Sequence, residues 1–253
     1  MIINQKNLLY TCVFSNKHFI KLLELLLISI KEFGNVKNDI DVLVLTHSQF
    51  KNDIKKIAKH INLNIIIYCM DFNTIPEAKS ARLYIFNIPF IQNYNKILYL
   101  DTDIIITNDL HNIFNNNIED KLYVVEECDI SGAYFGKEFF NFNKIDPKTP
   151  AFNSGVLYFK PCKTIKVLFK QILEHILTFS KFGSHVDQPF FNYHTISKKL
   201  NDTSFLYKYS TNNPHNYTSN KQLCICHFAG NYNNDGKYQH MYDFLEKILI
   251  DKK

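Results

Sequence analysis

Two carboxylates interrupt an otherwise apolar run, Leu98-Tyr99-Leu100-Asp101-Thr102-Asp103-Ile104-Ile105-Ile106. An ionised carboxylate kept out of water without a partner costs several kcal/mol even after relaxation, so Asp101 and Asp103 call for one, and a cation fits the pair. Alternate residues of a strand share a side, so a strand here would aim both carboxylates at one ion and turn Thr102 away. Oxygen ligands suit a hard divalent ion such as Mg2+ or Mn2+, which commonly binds through one or two carboxylates together with substrate phosphates. A strand end where both carboxylates cap a turn or pair with a lysine is the competing reading. The spacing alone leaves the two open.

Elsewhere in the chain, polar residues recur inside apolar or small-residue contexts: Ala81-Arg82-Leu83, Phe152-Asn153-Ser154-Gly155-Val156, Asp187-Gln188-Pro189, His227-Phe228-Ala229-Gly230, and Lys237 beyond. Each has a structural reading beside a chemical one. Arg82 reads as an exposed helix cation, Asp187 as a helix N-cap whose carboxylate accepts backbone N–H groups, and His227 as a core histidine with its hydrogen bonds satisfied. Gly155 permits close backbone approach to a ligand. Cys224-x-Cys226-His227 resembles a fragment of a zinc site, yet the two thiols alternate with Leu223 and Ile225 in a strand-like run.

The elements that must position these residues follow from periodicity. Leu8 to Phe14 is a short β-prone run, and His18 to Phe33 has a helical pattern that Gly34 can stop. Asp41 to Leu45 and Leu63 to Tyr68 read as strands around a helix from Lys51 to His60, so the first third alternates strand and helix as parallel-sheet proteins do. A helix from Pro76 to Phe86 precedes the strand ending at Asp101, and ligands of open α/β sheets bind outside the carboxyl ends of strands. Leu122 to Val125, Ala151 to Phe159 and Leu223 to Phe228 read as strands. Thr164 to Phe182, the residues after Asp187 and Tyr238 to Ile250 read as helices, with Ala229 to Gly236 a loop. The irregular stretch between Cys128 and Pro150 is long enough to carry function.

A chain of 253 residues with 46% hydrophobic content buries a sizeable core as one α/β domain. Its net charge of +5 comes from dispersed lysines, which excludes a nucleic-acid partner of the kind that needs a dense basic track and suits an anionic small molecule. Leu22 to Ile30 falls well short of the roughly 20 apolar residues that span a bilayer, so no membrane span is expected. The six cysteines lack Cys-x-x-Cys spacing, and no basic leader with a cleavage site follows Met1. Reduced thiols in the cytoplasm are the expectation.

Taken in order, Ala81-Arg82-Leu83, Leu98 to Asp103, Phe152 to Val156, Asp187-Gln188-Pro189 and His227 to Gly230 with Lys237 resemble glycosyltransferase family 8, the glycogenin-like and galactosyltransferase-like retaining enzymes. The resemblance runs from about Leu8 to Lys237. It implies a single GT-A (Rossmann-like) domain over residues 1–253, with a mixed, mainly parallel sheet flanked by helices. Residues 1–110 would be the nucleotide half and 111–253 the sugar and acceptor half. It implies Mn2+, or alternatively Mg2+, on Asp101, Asp103 and His227. Donor contacts fall on Arg82, Asp101, Thr102, Asp103, Asn153, Gly230 and Lys237, and Asp187 and Gln188 stand beside the reacting carbon. The implied donor is a UDP-sugar carrying glucose or galactose, with uracil and ribose on Tyr10 to Phe14. The acceptor is a glycan, a protein or the chain itself, and the assembly a possible homodimer.

One departure is plain: the family pattern His-x-x-Gly-x-x-Lys-Pro-Trp loses its Trp, and an Asn-rich insertion delays the lysine to Lys237. Retention could proceed through a covalent intermediate or by front-face attack. A carboxamide is a poor nucleophile, so the expectation is front-face attack with Gln188 steadying the transition state. Two rivals stand beside this reading, a catalytically weak or non-catalytic UDP-sugar-binding protein on the same fold and a phosphatase of the haloacid dehalogenase type.

Overall fold

The computed structural model describes residues 5–142, 145–179, 187–218, 220, 222–230 and 234–252. In chain order the elements are β1 (Asn7–Val13), α1 (His18–Phe33), β2 (Ile40–Thr46), α2 (Lys51–His60), β3 (Ile66–Cys69), α3 (Ile75–Lys79), β4 (Ile97–Leu100), β5 (Ile104–Ile106), α4 (His111–Phe114), β6 (Leu122–Asp129), β7 (Pro150–Phe159), α5 (Lys163–Thr178), α6 (Gln188–Lys198), β8 (Asn201–Asp202), β9 (Ser210–Thr211), β10 (Ile225–His227) and α7 (Asn234–Asp251). Seven strands form a mixed sheet in the order β3-β2-β1-β4-β7-β6-β8, and β5-β10-β9 form a second, three-stranded sheet. This is the α/β class the sequence predicts.

The chain divides into two compact units, each assembled from separated segments. One comprises Leu8–Asp71, Leu100–Asn116 and Lys208–Lys253. Within it β2 and β3 pair in parallel, Leu43 beside Ile66 and Leu45 beside Tyr68, with α2 as an amphipathic cover that buries Ile54 and Ala58. β10 pairs antiparallel with β5 and in parallel with β9. Leu22 and Leu25 of α1, Ile105, Cys226, Phe228, and Met241, Leu245 and Ile248 of α7 form one buried cluster. Each such side chain contributes about 1.5–3 kcal/mol by leaving water. Because Cys226 and Phe228 both enter this core, strand alternation turns His227 to the opposite side.

The other unit comprises Met1–Asn7, Phe72–Tyr99 and Asn117–Tyr207. β6 and β7 pair antiparallel with register shifts at Val124/Val125 and Glu126/Cys128, while β8 joins β6 in parallel. The buried amide of Asn192 ties α6 to β7: Nδ2 donates to Phe152 O at 2.9 Å and to Gln188 O at 3.0 Å, and Oδ1 accepts from Phe152 N at 3.0 Å.

Several elements depart from the sequence expectation. The Pro76 to Phe86 helix breaks at Ser80. A Thr74 and Glu77 capping box starts the short α3, and a 3-10 segment, Ala81–Asn87, follows. Gly34 does end α1, though not through a left-handed turn. Its φ is −71°, and a Cβ there would lie 2.8 Å from Ile30 O, so the glycine is required for space. α5 ends at Thr178, and the remainder of the predicted helix, 180–182, lies outside the described residues, as do His185 and Val186. α7 begins at Asn234, which puts Gly236 and Lys237 in its first turns rather than in a loop.

Candidate active site

Asp101-Thr102-Asp103 is a turn and not a strand, since β4 ends at Leu100 and β5 begins at Ile104. Convergence therefore does not come from strand alternation. The backbone carbonyl of Asp103 accepts from Phe228 N at 2.9 Å, extending the β5–β10 register that pairs Ile104 with His227. This brings the Asp103 carboxylate beside the imidazole, with His227 Nε2 3.2 Å from Asp103 Oδ1. Lys237, carried by the first turns of α7, puts Nζ 2.5 Å from Asp103 Oδ2. A lysine near a helix N-terminus opposes the macrodipole, and the carboxylate offsets that cost.

Among the described residues, Asp101, Asp103 and His227 are the group able to offer three ligand atoms to one ion, all lying within 4.8 Å of one another. Ligands around one ion at about 2.1 Å each are at most ~4.2 Å apart, so the set closes on a cation with small side-chain shifts. Two carboxylates and an imidazole suit Mn2+ better than an ion that demands oxygen alone. Cys224 and Cys226 take no part: both thiols are free and buried, and burial pushes them up to about 11 and about 12.

Burial opposes ionisation of Asp103, yet the charges and hydrogen bonds of His227 and Lys237 outweigh it and hold the carboxyl far below the usual carboxylate range. Burial likewise disfavours the His227 imidazolium, and Asp103, aided by Asp101, raises its pKa above the ordinary value. Stability from Asp103 is present above the ordinary carboxylate pKa of ~3.9 and is lost as pH falls through its lowered native value. Stability from His227 is complete below its ordinary ~6.5 and is lost as pH rises through its raised native value. Melting temperatures of the metal-free chain in chelator should therefore be highest between about pH 4 and 6.5 and decline above it. Asp103→Asn should flatten that alkaline decline. A variant whose profile parallels the wild type would overturn this assignment.

A second polar set lies in the other unit. The carboxylate of Asp187 does not cap α6: it makes no capping hydrogen bond, and the residue has φ −103° and ψ −29° rather than extended geometry. It pairs instead with Arg82, Nε to Oδ2 2.8 Å, and accepts from Ser154 Oγ at 3.4 Å. A charge-assisted partner outbids neutral N–H groups. Arg82 is correspondingly not an exposed cation. Its side chain is 12% exposed, Nη1 donates to Ser154 O at 2.6 Å, and the guanidinium stands 4.7 Å from the centre of the Tyr99 ring. Gln188 accepts from Ser154 N and donates to Tyr134 O, both at 3.3 Å. Asn153 Oδ1 accepts from Gly155 N at 2.7 Å and joins none of these. Thr102 is buried, and Gly230 has φ +116°, a conformation that favours glycine.

Ser154, Tyr99 and Asn192 are participants that residue spacing did not single out. Tyr99 and Ser154 lie inside the apolar and small-residue runs that carry the motifs, whereas the sequence around Asn192 has no such pattern.

The family model of Glycosyl transferase family 8 matches residues 21–233. This chain belongs to glycosyl transferase family 8. No curated protein matches the sequence of this family 8 glycosyltransferase. Solved structures do: the apo form of WbbM, a bifunctional glycosyltransferase, has a TM-score of 0.67 at 14% identity over 98% of this chain and 52% of its own. GlyE of Streptococcus pneumoniae gives 0.63 at 16% identity over 98% and 63%. The galactosyltransferase LgtC, solved with donor and acceptor sugar analogs, gives 0.60 at 13% identity over 95% of both chains. The chain thus spans about half of WbbM and under two thirds of GlyE, and at these identities the likeness establishes the GT-A fold. Among the described residues no helix is long and apolar enough to cross a membrane.

Proposed function

We propose that this glycosyltransferase is a retaining hexosyltransferase. It would move glucose or galactose from a UDP-sugar to a hydroxyl of a glycan or protein, itself included, with Mn2+, or failing that Mg2+, held by Asp101, Asp103 and His227. The observation that carries this reading is the approach of those three ligands to within 4.8 Å, with Lys237 on Asp103. When bound, the ion supplies Lewis-acid stabilisation of the leaving diphosphate. Lys237 adds ammonium charge to the same leaving group. Arg82, Asn153 and the backbone at Thr102 and Gly230 orient the donor, and Tyr10 to Phe14 take uracil and ribose.

The bond from the anomeric carbon to the phosphate oxygen breaks and a bond to the acceptor oxygen forms on the same face, with the acceptor proton passing to the departing phosphate. Gln188 steadies the positive charge at the anomeric carbon. The engagement of Asp187 by Arg82 and Ser154 supports a positioning role for it over a nucleophilic one. Six free cysteines support a reducing compartment, the cytoplasm. A single catalytic domain and a homodimer complete the reading.

Incubation with Mn2+ and a panel of UDP-sugars should release UDP from a glucose or galactose donor and leave no glycosyl adduct on intact-mass analysis. A trapped adduct on Asp187 would replace front-face attack with a covalent route. Metal-independent release would sink the metal assignment, and no release with any donor would sink the enzymatic proposal.

A further inference from the structure

His227 has two ring nitrogens, and the metal reading uses one of them. Nε2 faces Asp103, while Nδ1 lies 3.2 Å from Oδ1 of Asn212. An amide oxygen accepts and cannot donate, so this contact requires the proton on Nδ1. Without an ion the Asp103 carboxylate keeps a proton on Nε2 as well. An incoming ion displaces that proton, and the one retained on Nδ1 leaves the Nε2 lone pair free to coordinate. We propose that Asn212 is the positioning residue of the metal centre, holding His227 in the Nδ1–H form and reserving Nε2 for the ion. The proposal rests on the reading of Asp101, Asp103 and His227 as metal ligands.

The juxtaposition is built by backbone. β9 runs parallel to β10 with Ser210 beside Ile225 and Thr211 beside Cys226, so the next residues along, Asn212 and His227, are cross-strand neighbours. The turn after β9 is braced by Thr211, whose Oγ1 donates to Asn213 O and accepts from Asn213 N and from Asn216 Nδ2, each at 3.1 Å. Stability does not account for an asparagine here. Among the described residues its Nδ2 is buried without a hydrogen-bond partner, an arrangement that costs free energy. What the amide contributes is one acceptor directed at the ring. Partners of this kind fix the tautomer and orientation of metal-binding histidines, and their loss weakens metal affinity by about 10- to 100-fold.

The test uses the full chain as wild type, Asn212→Leu, which removes the acceptor at similar volume, and Asn212→Asp, which keeps it. Mn2+ titrations followed by electron paramagnetic resonance should show Asn212→Leu weakened about 10- to 100-fold and Asn212→Asp at least as tight as wild type. A merely structural role predicts no such rescue. Nitrogen-15 spectra of wild type loaded with diamagnetic Zn2+, which takes the place of the Nε2 proton beside Asp103, should report the remaining proton on Nδ1, a readout that needs no variant to fold. Loss of the Nδ1 proton in the Zn2+-loaded wild type, or unchanged Mn2+ affinity in Asn212→Leu, overturns the role of Asn212. Absence of Mn2+ binding by the wild-type chain overturns the metal reading itself, and is distinguishable from either.

Discussion

Asp103→Asn is expected to lower metal-dependent UDP release by about a thousandfold or more. One carboxylate carries three duties at this position. In the proposed site it would be a ligand to the ion; in the structure it is the counter-charge of a buried imidazole at 3.2 Å and the acceptor of Lys237 at 2.5 Å. The amide keeps the shape and loses the charge, so the remaining cations face one another without their shared anion. Removing one partner from a buried ionic cluster costs about 3 kcal/mol, less to the extent that His227 gives up its proton. In a chain of this length that is a fall of roughly 6–12 °C in melting temperature. Activity above a tenth of wild type, measured as UDP release on the same donor, would remove Asp103 from the metal centre.

Arg82→Leu should give the largest stability effect in the other unit. The guanidinium and its Asp187 partner are 12% and 8% exposed, and Arg82 also binds Ser154 O and stacks on Tyr99. Leucine leaves a buried carboxylate without its cation, a loss of about 3–5 kcal/mol. The double change Arg82→Leu with Asp187→Leu should recover much of that loss, because it removes the stranded charge along with the pair. Arg82→Lys should fall between, keeping charge but losing the fork that reaches Asp187 and Ser154 together. Thermal melts of the three variants decide the point. A single Arg82→Leu within about 2 °C of wild type would show that the pair contributes little.

Local pattern carried much of the fold into the sequence. The apolar spacing of α1 and α2 marks their ends at His18–Phe33 and Lys51–His60, and β7 is legible through its small polar interruption. What stayed hidden depends on partners distant in the chain. Asp187 has the type and position of an N-cap, and only the fold reveals that Arg82 claims its carboxylate instead. Asp101 and Asp103 read as strand residues because alternation is the sequence signal for convergence. Their actual approach to His227 comes from a turn between strands of two sheets and from the β5–β10 register. Lys237 looked displaced by the Asn-rich insertion, yet α7 starts early enough to carry it to Asp103. Asn212 is one asparagine among many, and only its pairing beside His227 distinguishes it.

In the proposed reaction Asp101, Asp103 and His227 hold the ion that receives the diphosphate of a UDP-sugar. The most direct test is a crystal of the chain grown with Mn2+ and UDP, with diffraction data collected at the manganese absorption edge. The expected result is one anomalous peak within coordination distance of both carboxylates and His227 Nε2, with the UDP phosphates completing the shell. Density for UDP with no anomalous peak at these residues, or a peak bound elsewhere, would show that these residues do not hold the ion.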